Sequence, residues 1–419
     1  MPGSVVPLRF TISTIFAILV LSGNTLSAVA SDFVHLSLPK HRILADELAI
    51  VINDADPLSI KIGNYYQQAR NIPARNVLHV DFRPGRPGIG KAEFQRIKTR
   101  LDRQTPDDVQ AYAITWAAPY RVGCMSITSA FTFGFDTRFC SQQRCAPTRH
   151  SSYFGRPSAT PYTDYGIRPT IAIAAENFQD ARKLIDRGVT SDQTRPAGTA
   201  YLVSTSDRAR NVRSRSYTAV AARMADWINT RVVESEALQS TSDILFYFTG
   251  RVSVPYLDTL QFVPGAIADH LTSSGGKLTN SRQMSALRWL EAGATGSYGT
   301  VVEPCALTGK FPNPGILMDL YGAGRTLLQA YWQSVQQPGE GIFIGEPLAA
   351  PFDGFSLENT GDSILLTTRT LLPGRYQLAY SKGPIGPYRI LPGAITASYH
   401  QRRFTLPNAG SGYYRLARY

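Results

Sequence analysis

Short apolar runs rich in β-branched residues alternate with amphipathic helical patterns over most of this 419-residue chain. "LAIVIND" at 48–54 is followed by a helical pattern that begins at Pro57 and ends before Pro73. "NVLHVDF" at 76–82, a charged amphipathic pattern at 91–104 and "VQAYAITW" at 109–116 continue the series. Strands that are apolar on both sides and are separated by helices form parallel sheets. The alternation therefore predicts an α/β fold with a doubly wound, mostly parallel sheet.

The alternation breaks off at 117–168, a stretch rich in Gly, Pro, Ser, Thr and aromatic residues, and then resumes. We expect this stretch to be an insertion held over one edge of the sheet by disulfides. Beyond residue 351 the apolar residues alternate with period two, and Gly and Pro interrupt them, which predicts a small antiparallel β-sandwich-like module. The expected domains are a signal peptide at 1–30, an α/β domain at 31–350 and the β module at 351–419. The later predicted elements are strands at 169–175, 198–205, 243–250, 259–271, 294–303 and 341–347, and helices at 179–187, 217–233, 284–292 and 314–334.

The first thirty residues have the pattern of a secretory signal peptide. Arg9 is the only charge before Asp32, the apolar run "FTISTIFAILVLSG" follows, and "SAVA" places small residues before a cleavage point after Ala30. An uncleaved membrane anchor is the alternative, but the run is shorter than the ~20 residues that a membrane span needs. We therefore expect an exported protein, periplasmic or extracellular, with no membrane span in its mature chain.

The four cysteines are Cys124, Cys140, Cys145 and Cys305. An even number of cysteines in an exported chain favours disulfides over metal binding. Cys140 and Cys145 enclose only four residues and could close a local loop, which would leave Cys124 to pair with Cys305. Four cysteines allow three pairings, and the spacing leaves all three open.

The carboxyl ends of parallel strands are where ligands bind in open α/β sheets. His270 follows such a strand and could act as a general base, with Ser273 or Cys305 as the nucleophile. Asp269 cannot easily orient His270, because adjacent strand residues point to opposite faces. A histidine at a strand end can equally be a hydrogen-bonded structural residue. The predicted strand ends define this candidate pocket: Asp54, Arg121, Asp207, Thr249, Asp269, His270 and Glu303.

The usual fingerprints of cofactor, metal and nucleic-acid binding are missing, so no cofactor, metal or nucleic-acid partner is predicted. The net charge is +12, and the stretch at 206–217 carries Arg208, Arg210, Arg213 and Arg215. Such a stretch could bind an anionic polysaccharide of the cell envelope, or it could be a solvated basic loop.

Four long stretches resemble an uncharacterised family of exported bacterial proteins found in species with exosortase and PEP-CTERM sorting. They are "SIKIGNYYQQARNIPARNVLHV", "YRVGCMSITSAFTFGFD", "PGAIADHLTSSGG" and "GATGSYGTVVEPC" with the later "KFPNP". The resemblance implies an envelope or secreted protein, with an envelope protein as a conceivable partner, and it implies no particular activity.

More distantly, the order of elements is similar to that of gingipain-type cysteine peptidases, which have a caspase-like fold. The resemblance aligns Thr249-Gly250 with a catalytic His-Gly pair, residues 270–273 with the catalytic cysteine, and Gly345, Glu346 and Pro347 with a later turn. It therefore implies a scaffold that lacks the Cys/His dyad. The leading hypothesis is a non-peptidase binding or accessory protein, and the alternative is a divergent hydrolase or peptidase that uses His270 with Ser273 or Cys305.

Overall fold

The computed structural model describes residues 33–143, 145–398 and 401–419. The predicted signal peptide at 1–30 lies outside these residues. In the described part of the chain, no helix has both the length and the apolar character that crossing a bilayer requires.

The strands and helices of the described residues are numbered in chain order. The strands are β1 Val34–Ser37, β2 Leu48–Asn53, β3 Val77–Val80, β4 Gly88–Ile89, β5 Ala111–Ile114, β6 Arg121–Val122, β7 Met125–Ser126, β8 Thr170–Ala172, β9 Thr199–Ser204, β10 Asn229–Glu234, β11 Ile244–Gly250, β12 Phe262–Leu271, β13 Gly296–Thr300, β14 Gly341–Gly345, β15 Phe355–Asn359, β16 Ser363–Thr368, β17 Gly374–Ser381, β18 Arg389–Ala397, β19 Arg403–Pro407 and β20 Gly412–Arg418. The helices are α1 Pro57–Arg70, α2 Lys91–Gln104, α3 Ile127–Phe133, α4 Pro161–Tyr165, α5 Phe178–Ser191, α6 Tyr217–Met224, α7 Leu287–Ala292, α8 Pro314–Gly322 and α9 Leu327–Ser334.

Among these strands, ten form one large sheet in the order β10-β9-β11-β12-β13-β14-β8-β5-β2-β3. Neighbouring strands from β10 to β13 are parallel to one another, and so are β8, β5, β2 and β3. Strand β14 is antiparallel to β13 and parallel to β8. The two halves therefore run in opposite directions, and their strands end at opposite edges of the sheet. The prediction of an α/β fold with a mostly parallel sheet is confirmed.

Helices pack on both faces of the large sheet. On one face α1 approaches β2 closely, since a Cβ on Gly63 would lie 2.5 Å from Ile52 Cδ1. Helix α5 packs beside α1 and over β12 on this face, next to α7. On the opposite face Trp332 of α9 stacks on Phe343 of β14, at 4.2 Å between ring centroids. Both faces of the strands are therefore buried, as their unbroken apolar runs predict.

A second hydrophobic core lies between the small sheets formed by the chain after residue 354. The sheet β15-β16-β19 faces the sheet β20-β17-β18, and the core includes Leu366, Leu378 and Leu416. Strand β1 joins β20 in parallel register and contributes Leu36 to this core. Residues 34–37, which the sequence analysis placed in the α/β domain, thus belong to the C-terminal sheets by their hydrogen bonds.

Two predicted helices differ from the structure. The pattern at 217–233 contains α6, which ends at Met224, and then the exposed edge strand β10. The second part of this pattern is a strand because it pairs with β9. The sequence could not show this, since a polar edge strand has no periodicity that distinguishes it from a helix. The pattern at 314–334 is split into α8 and α9 at Gly324, whose φ of 75° favours glycine and cannot continue a helix.

The stretch at 117–168 contains regular structure that the sequence did not predict. Ser126 caps α3 by accepting from Ser129 N at 3.0 Å, and α3 packs on β8 and β14 rather than over a sheet edge. The four cysteines form two disulfides, Cys124–Cys140 within this stretch and Cys145–Cys305 between it and the chain after β13. The Cys140–Cys145 pairing that the short spacing suggested, and the Cys124–Cys305 pairing that would accompany it, are both wrong, because the fold brings Cys140 to Cys124 and Cys145 to Cys305.

The disulfides should differ in how much they stabilise the fold. Closing the long loop between Cys145 and Cys305 removes more chain entropy from the unfolded state than closing the short one, about 5 against about 3 kcal/mol. We therefore expect C145S/C305S to lose more unfolding free energy than C124S/C140S in guanidinium titrations. The control is the same titration under reducing conditions, in which the wild type and both variants should unfold at similar denaturant concentrations. A larger loss in C124S/C140S, or a Cys140–Cys145 peptide in non-reducing peptide maps, would contradict the pairing.

Candidate functional site

The carboxyl ends of β11 and β12 lie side by side at one edge of the large sheet. Thr249 is in register with His270, and Phe248 with Asp269. Since alternate residues of a strand point to opposite faces, Asp269 and His270 are directed to different layers of the molecule. The structure thus brings Thr249, Asp269 and His270 together in the backbone but separates the two ionisable side chains.

His270 is enclosed under α7. Its side chain is 1% exposed, and Nδ1 accepts a hydrogen bond from Trp289 Nε1 at 2.9 Å. The indole can only donate, so Nδ1 carries no proton and the ring is neutral. Burial and, to a smaller extent, the positive charge of Arg213 lower the pKa of His270 to about 3, although a hydrogen bond to the Met284 backbone opposes the shift. A neutral imidazole sealed from solvent, with this nitrogen already bonded, holds α7 against the sheet and has no route to a substrate.

Asp269 forms a buried ion pair on the other face. Its Oδ1 lies 2.6 Å from Arg213 Nη2, and both side chains are almost completely buried. Arg213 also donates to the carbonyl oxygens of Thr249 at 2.7 Å and Pro312 at 3.3 Å. Burial raises the pKa of Asp269, and the attraction of Arg213 opposes that rise. The pair therefore ties the end of β11 and the loop before α8 to β12.

The space beyond Gly250 is filled by the chain itself. A Cβ at Gly250 would lie 2.0 Å from the carbonyl oxygen of Arg210, so the segment leading into the 3-10 helix Asn211–Ser216 packs directly on the end of β11. The Arg210 side chain continues across the edge, where its Nε donates to Thr272 Oγ1 at 3.2 Å. Thr249, the position that the resemblance aligned with a catalytic histidine, is completely buried at this point.

The loop after β12 is packed in the same way. A Cβ at Gly276 would lie 2.5 Å from the Gly299 carbonyl oxygen, so the two backbones touch. Gly276 N donates to Thr300 O at 3.0 Å, and Ser274 N donates to Gln283 Oε1 at 2.9 Å. Ser273 is half-buried, and within the described residues its hydroxyl makes no hydrogen bond to His270. This loop is a closed packing element, in which the glycines permit close backbone contact.

The remaining candidates do not share one pocket with His270. Asp207 accepts from Arg210 in a local turn, and Glu303 Oε1 accepts from Cys305 N at 2.9 Å. Cys305 is bonded to Cys145 and is no free thiol. Asp54 lies beside His79 at the end of β2. Asp54 follows β2 and Asp207 follows β9, and these two strands are seven positions apart in the sheet, roughly 34 Å at the usual strand spacing.

Arg121 is adjacent in sequence to a residue that contacts the loop after β12, at the edge formed by β11 and β12. It belongs to β6, and its neighbour Tyr120 donates from its hydroxyl to Asn280 Oδ1 at 2.7 Å, in the loop after β12. The cavity of about 520 Å³ beside this edge is lined instead by residues of Val212–Ser216 and the chain at 306–314.

The basic stretch at 206–217 is not one patch. Arg213 is buried against Asp269, and Arg210 is engaged by Asp207 and Thr272. Only Arg208 and Arg215 of the four are exposed. The local density of arginines therefore has largely a structural cause.

Sequence reasoning missed the two residues that determine the state of this edge, Arg213 and Trp289. Arg213 is indistinguishable in sequence from its exposed neighbours, and Trp289 reads as an ordinary apolar residue of a helix. The sequence offered one usable signal, the position of Asp269 inside an apolar strand. A buried carboxylate requires a partner, so this position indicates that some cationic or hydrogen-bonding side chain must lie against it.

Comparisons with known proteins give few relatives. No protein-family model and no curated protein matches the chain. A solved structure titled "Structure of Protease" is similar over 89% of this chain and 95% of that chain, with 10% sequence identity and a TM-score of 0.39.

The buried state of His270 predicts a specific pH dependence of stability. Its pKa is about 3 in the folded protein and near 6.5 in the unfolded chain, so the unfolded chain gains a proton first as the pH falls below 6.5. This histidine should therefore cost about 2 kcal/mol of unfolding free energy between pH 7 and pH 5. The His270→Gln variant, whose amide oxygen can still accept from Trp289, should lose that part of the pH dependence in denaturant titrations. The exposed His79→Gln is the matched control, and an equal pH slope in H270Q and the wild type would contradict the assignment.

Proposed function

We propose that this protein is an exported, non-peptidase binding or accessory protein of the cell envelope, built on a caspase-like, gingipain-like scaffold whose Cys/His dyad is absent. The observation that carries the proposal is the hydrogen bond from Trp289 to His270 in a sealed core. A general base must reach the proton that it abstracts, directly or through one water. His270 is the only histidine that the sequence placed in the candidate pocket, and its geometry offers no such reach.

The order of strands favours the scaffold assignment. The segments aligned with the histidine strand, the cysteine strand, the glycine-rich strand and the later turn are β11, β12, β13 and the end of β14, and these four strands are neighbours in the sheet. Helices on both faces agree with a doubly wound sheet, and the β sheets after residue 354 agree with a small module behind the main one. On this scaffold, Thr249 and His270 occupy the ends of the two strands that would carry the dyad.

The two disulfides support an oxidising compartment, periplasmic or extracellular, because such bonds persist outside the reducing cytosol. A pseudoenzyme in the envelope would bind rather than cut, and an envelope protein or an anionic polymer is the class of partner that we propose. The boundaries 31–350 and 351–419 remain our proposal for its domains, except that β1 pairs with the C-terminal module.

The alternative of a divergent hydrolase has no comparable support. Cys305 is bonded to Cys145 in a disulfide and therefore offers no thiol as a nucleophile. Among the described residues, Ser273 makes no hydrogen bond with His270. A hydrolase would need one of these atoms within hydrogen-bond reach of the imidazole.

The proposal predicts that the purified mature protein turns over no peptide. The measurement is a fluorogenic peptide library at pH 5 to 8, with and without a thiol reductant, alongside an active-site label for cysteine nucleophiles. The variants His270→Ala, Ser273→Ala and Cys305→Ser should match the wild type at the background rate. Turnover by the wild type that is lost in any one of these variants, but kept in the exposed control Arg208→Gln, would overturn the proposal.

A further inference from the structure

A cleft of about 380 Å³ lies between α8 and the C-terminal sheets, and the proposed function does not use it. Its walls come from both parts of the chain, with Leu320 and Ala323 on one side and Leu371, Leu372 and Pro373 on the other. We propose that this cleft binds a small organic anion, a carboxylate or phosphate carried on an apolar chain or ring, through Arg369 and Arg402.

Arg369 is held in place, yet part of its guanidinium is left without a partner. Its Nε donates to the Gly322 carbonyl oxygen at 2.7 Å, and the guanidinium lies over the Trp227 ring at 4.5 Å. Its Nη1 is buried and has no hydrogen-bond partner among the residues that the structure describes. A buried donor without an acceptor is costly, and an incoming anion would supply the acceptor.

Arg402 lines the same cleft, and part of its guanidinium also lacks hydrogen-bond partners among the described residues. Its Nη1 donates to the Asp226 carbonyl oxygen at 3.1 Å, whereas Nε and Nη2 are buried without partners in the described part of the chain. Nε and a terminal nitrogen form one edge of the planar guanidinium, which is the edge that binds a carboxylate or phosphate with two hydrogen bonds. The free donors of Arg402 therefore have the arrangement that a two-oxygen anion requires.

The two guanidinium groups also repel each other. Burial and, to a smaller extent, the charge of Arg402 lower the pKa of Arg369 to about 10, although the charge of Asp319 opposes the shift. The charged groups that line the cleft are Arg223, Arg369, Arg402, Arg418 and Asp319, a clear positive excess. An anion seated between Arg369 and Arg402 would remove this repulsion as well as satisfy the donors.

The apolar walls indicate that the anion has an apolar part. A site for a bare inorganic anion needs only polar donors, but Ile316, Leu320, Leu371 and Leu372 all border the same space. The volume lies within the range of about 300–1,000 Å³ that small-molecule sites occupy. Arg369 and Arg402 also line a second cleft of about 360 Å³ with Trp227 and Phe352, so a substitution specific to the first cleft is needed to assign the site.

This inference gives a ligand class to the binding protein proposed above, but it stands on separate residues. Peptide turnover would overturn the proposed function and leave the cleft untouched. Failure to bind organic anions would overturn the cleft and leave the missing dyad untouched.

The test is isothermal titration of the full mature protein with octanoate and with octyl phosphate, which distinguish the two head groups. Octanol and inorganic phosphate are the matched neutral and bare-anion probes. We expect saturable binding of at least one organic anion, at least ten-fold tighter than that of octanol and inorganic phosphate. Arg402→Gln and Arg369→Gln should each weaken it at least ten-fold, whereas the exposed Arg208→Gln should leave it unchanged.

Ala323→Phe fills the first cleft from the end of α8 without removing a charge, and it should also abolish binding. If R369Q does not fold, R402Q and A323F decide the question. The inference is overturned by the absence of saturable binding, by equal affinity for octanol or inorganic phosphate, or by unchanged affinity in R402Q or A323F.

Discussion

Strand β14 joins the two halves of the large sheet, and a buried ionic cluster at its carboxyl end holds it there. Glu346 accepts from Tyr66 Oη at 2.6 Å and from two nitrogens of Arg70, at 2.9 and 2.6 Å, and Arg70 also pairs with Asp192. A Cβ on Gly188 would lie 2.5 Å from Glu346 Cγ, so α5 reaches this cluster only through a glycine. The cluster therefore fastens α1 and α5 to the one strand that both halves share.

The reversed direction of the halves explains why the candidate residues did not converge. A uniformly parallel sheet would bring every strand end to one edge, and the polar residues after β2 would then lie on the same side as those after β9. Because β14 is parallel to β8 but antiparallel to β13, the carboxyl ends are divided between two edges. Among the candidate residues at strand ends, those after β9, β11, β12 and β13 share an edge, and Asp54 after β2 lies at the other. There, buried charges are paired for structural reasons, as Asp269 is with Arg213.

How far the sequence could predict the molecule depended on the kind of element. Helix α1 was predictable because its end signals agree with its periodicity, with Asp56 capping it at Leu58 N and Asn71 ending it in the left-handed region. Helix α2 was predictable from its amphipathic periodicity. Strand β10 and helix α3 were not, since neither shows the periodicity of its type and each exists through contacts with distant segments. The candidate site was predictable as a set of strand ends, and Asp269 and His270 were correctly expected to point apart. Its closure by Arg210 and Trp289 was not predictable, because nothing in their local sequence distinguishes them from surface or core residues.

The sequence by itself determined the fold class, the alternation of elements and the change to a β module near residue 351, because these depend on local periodicity and turn residues. It also determined that the loop after β12 contains no cysteine, since residue identity alone decides that. Tertiary structure alone decided the disulfide partners, the reversal at β14, the burial of His270 and the cleft with Arg369 and Arg402. Each of these depends on which distant segments pack together, and a polar side chain becomes a structural partner, a solvated group or a ligand contact only according to what surrounds it.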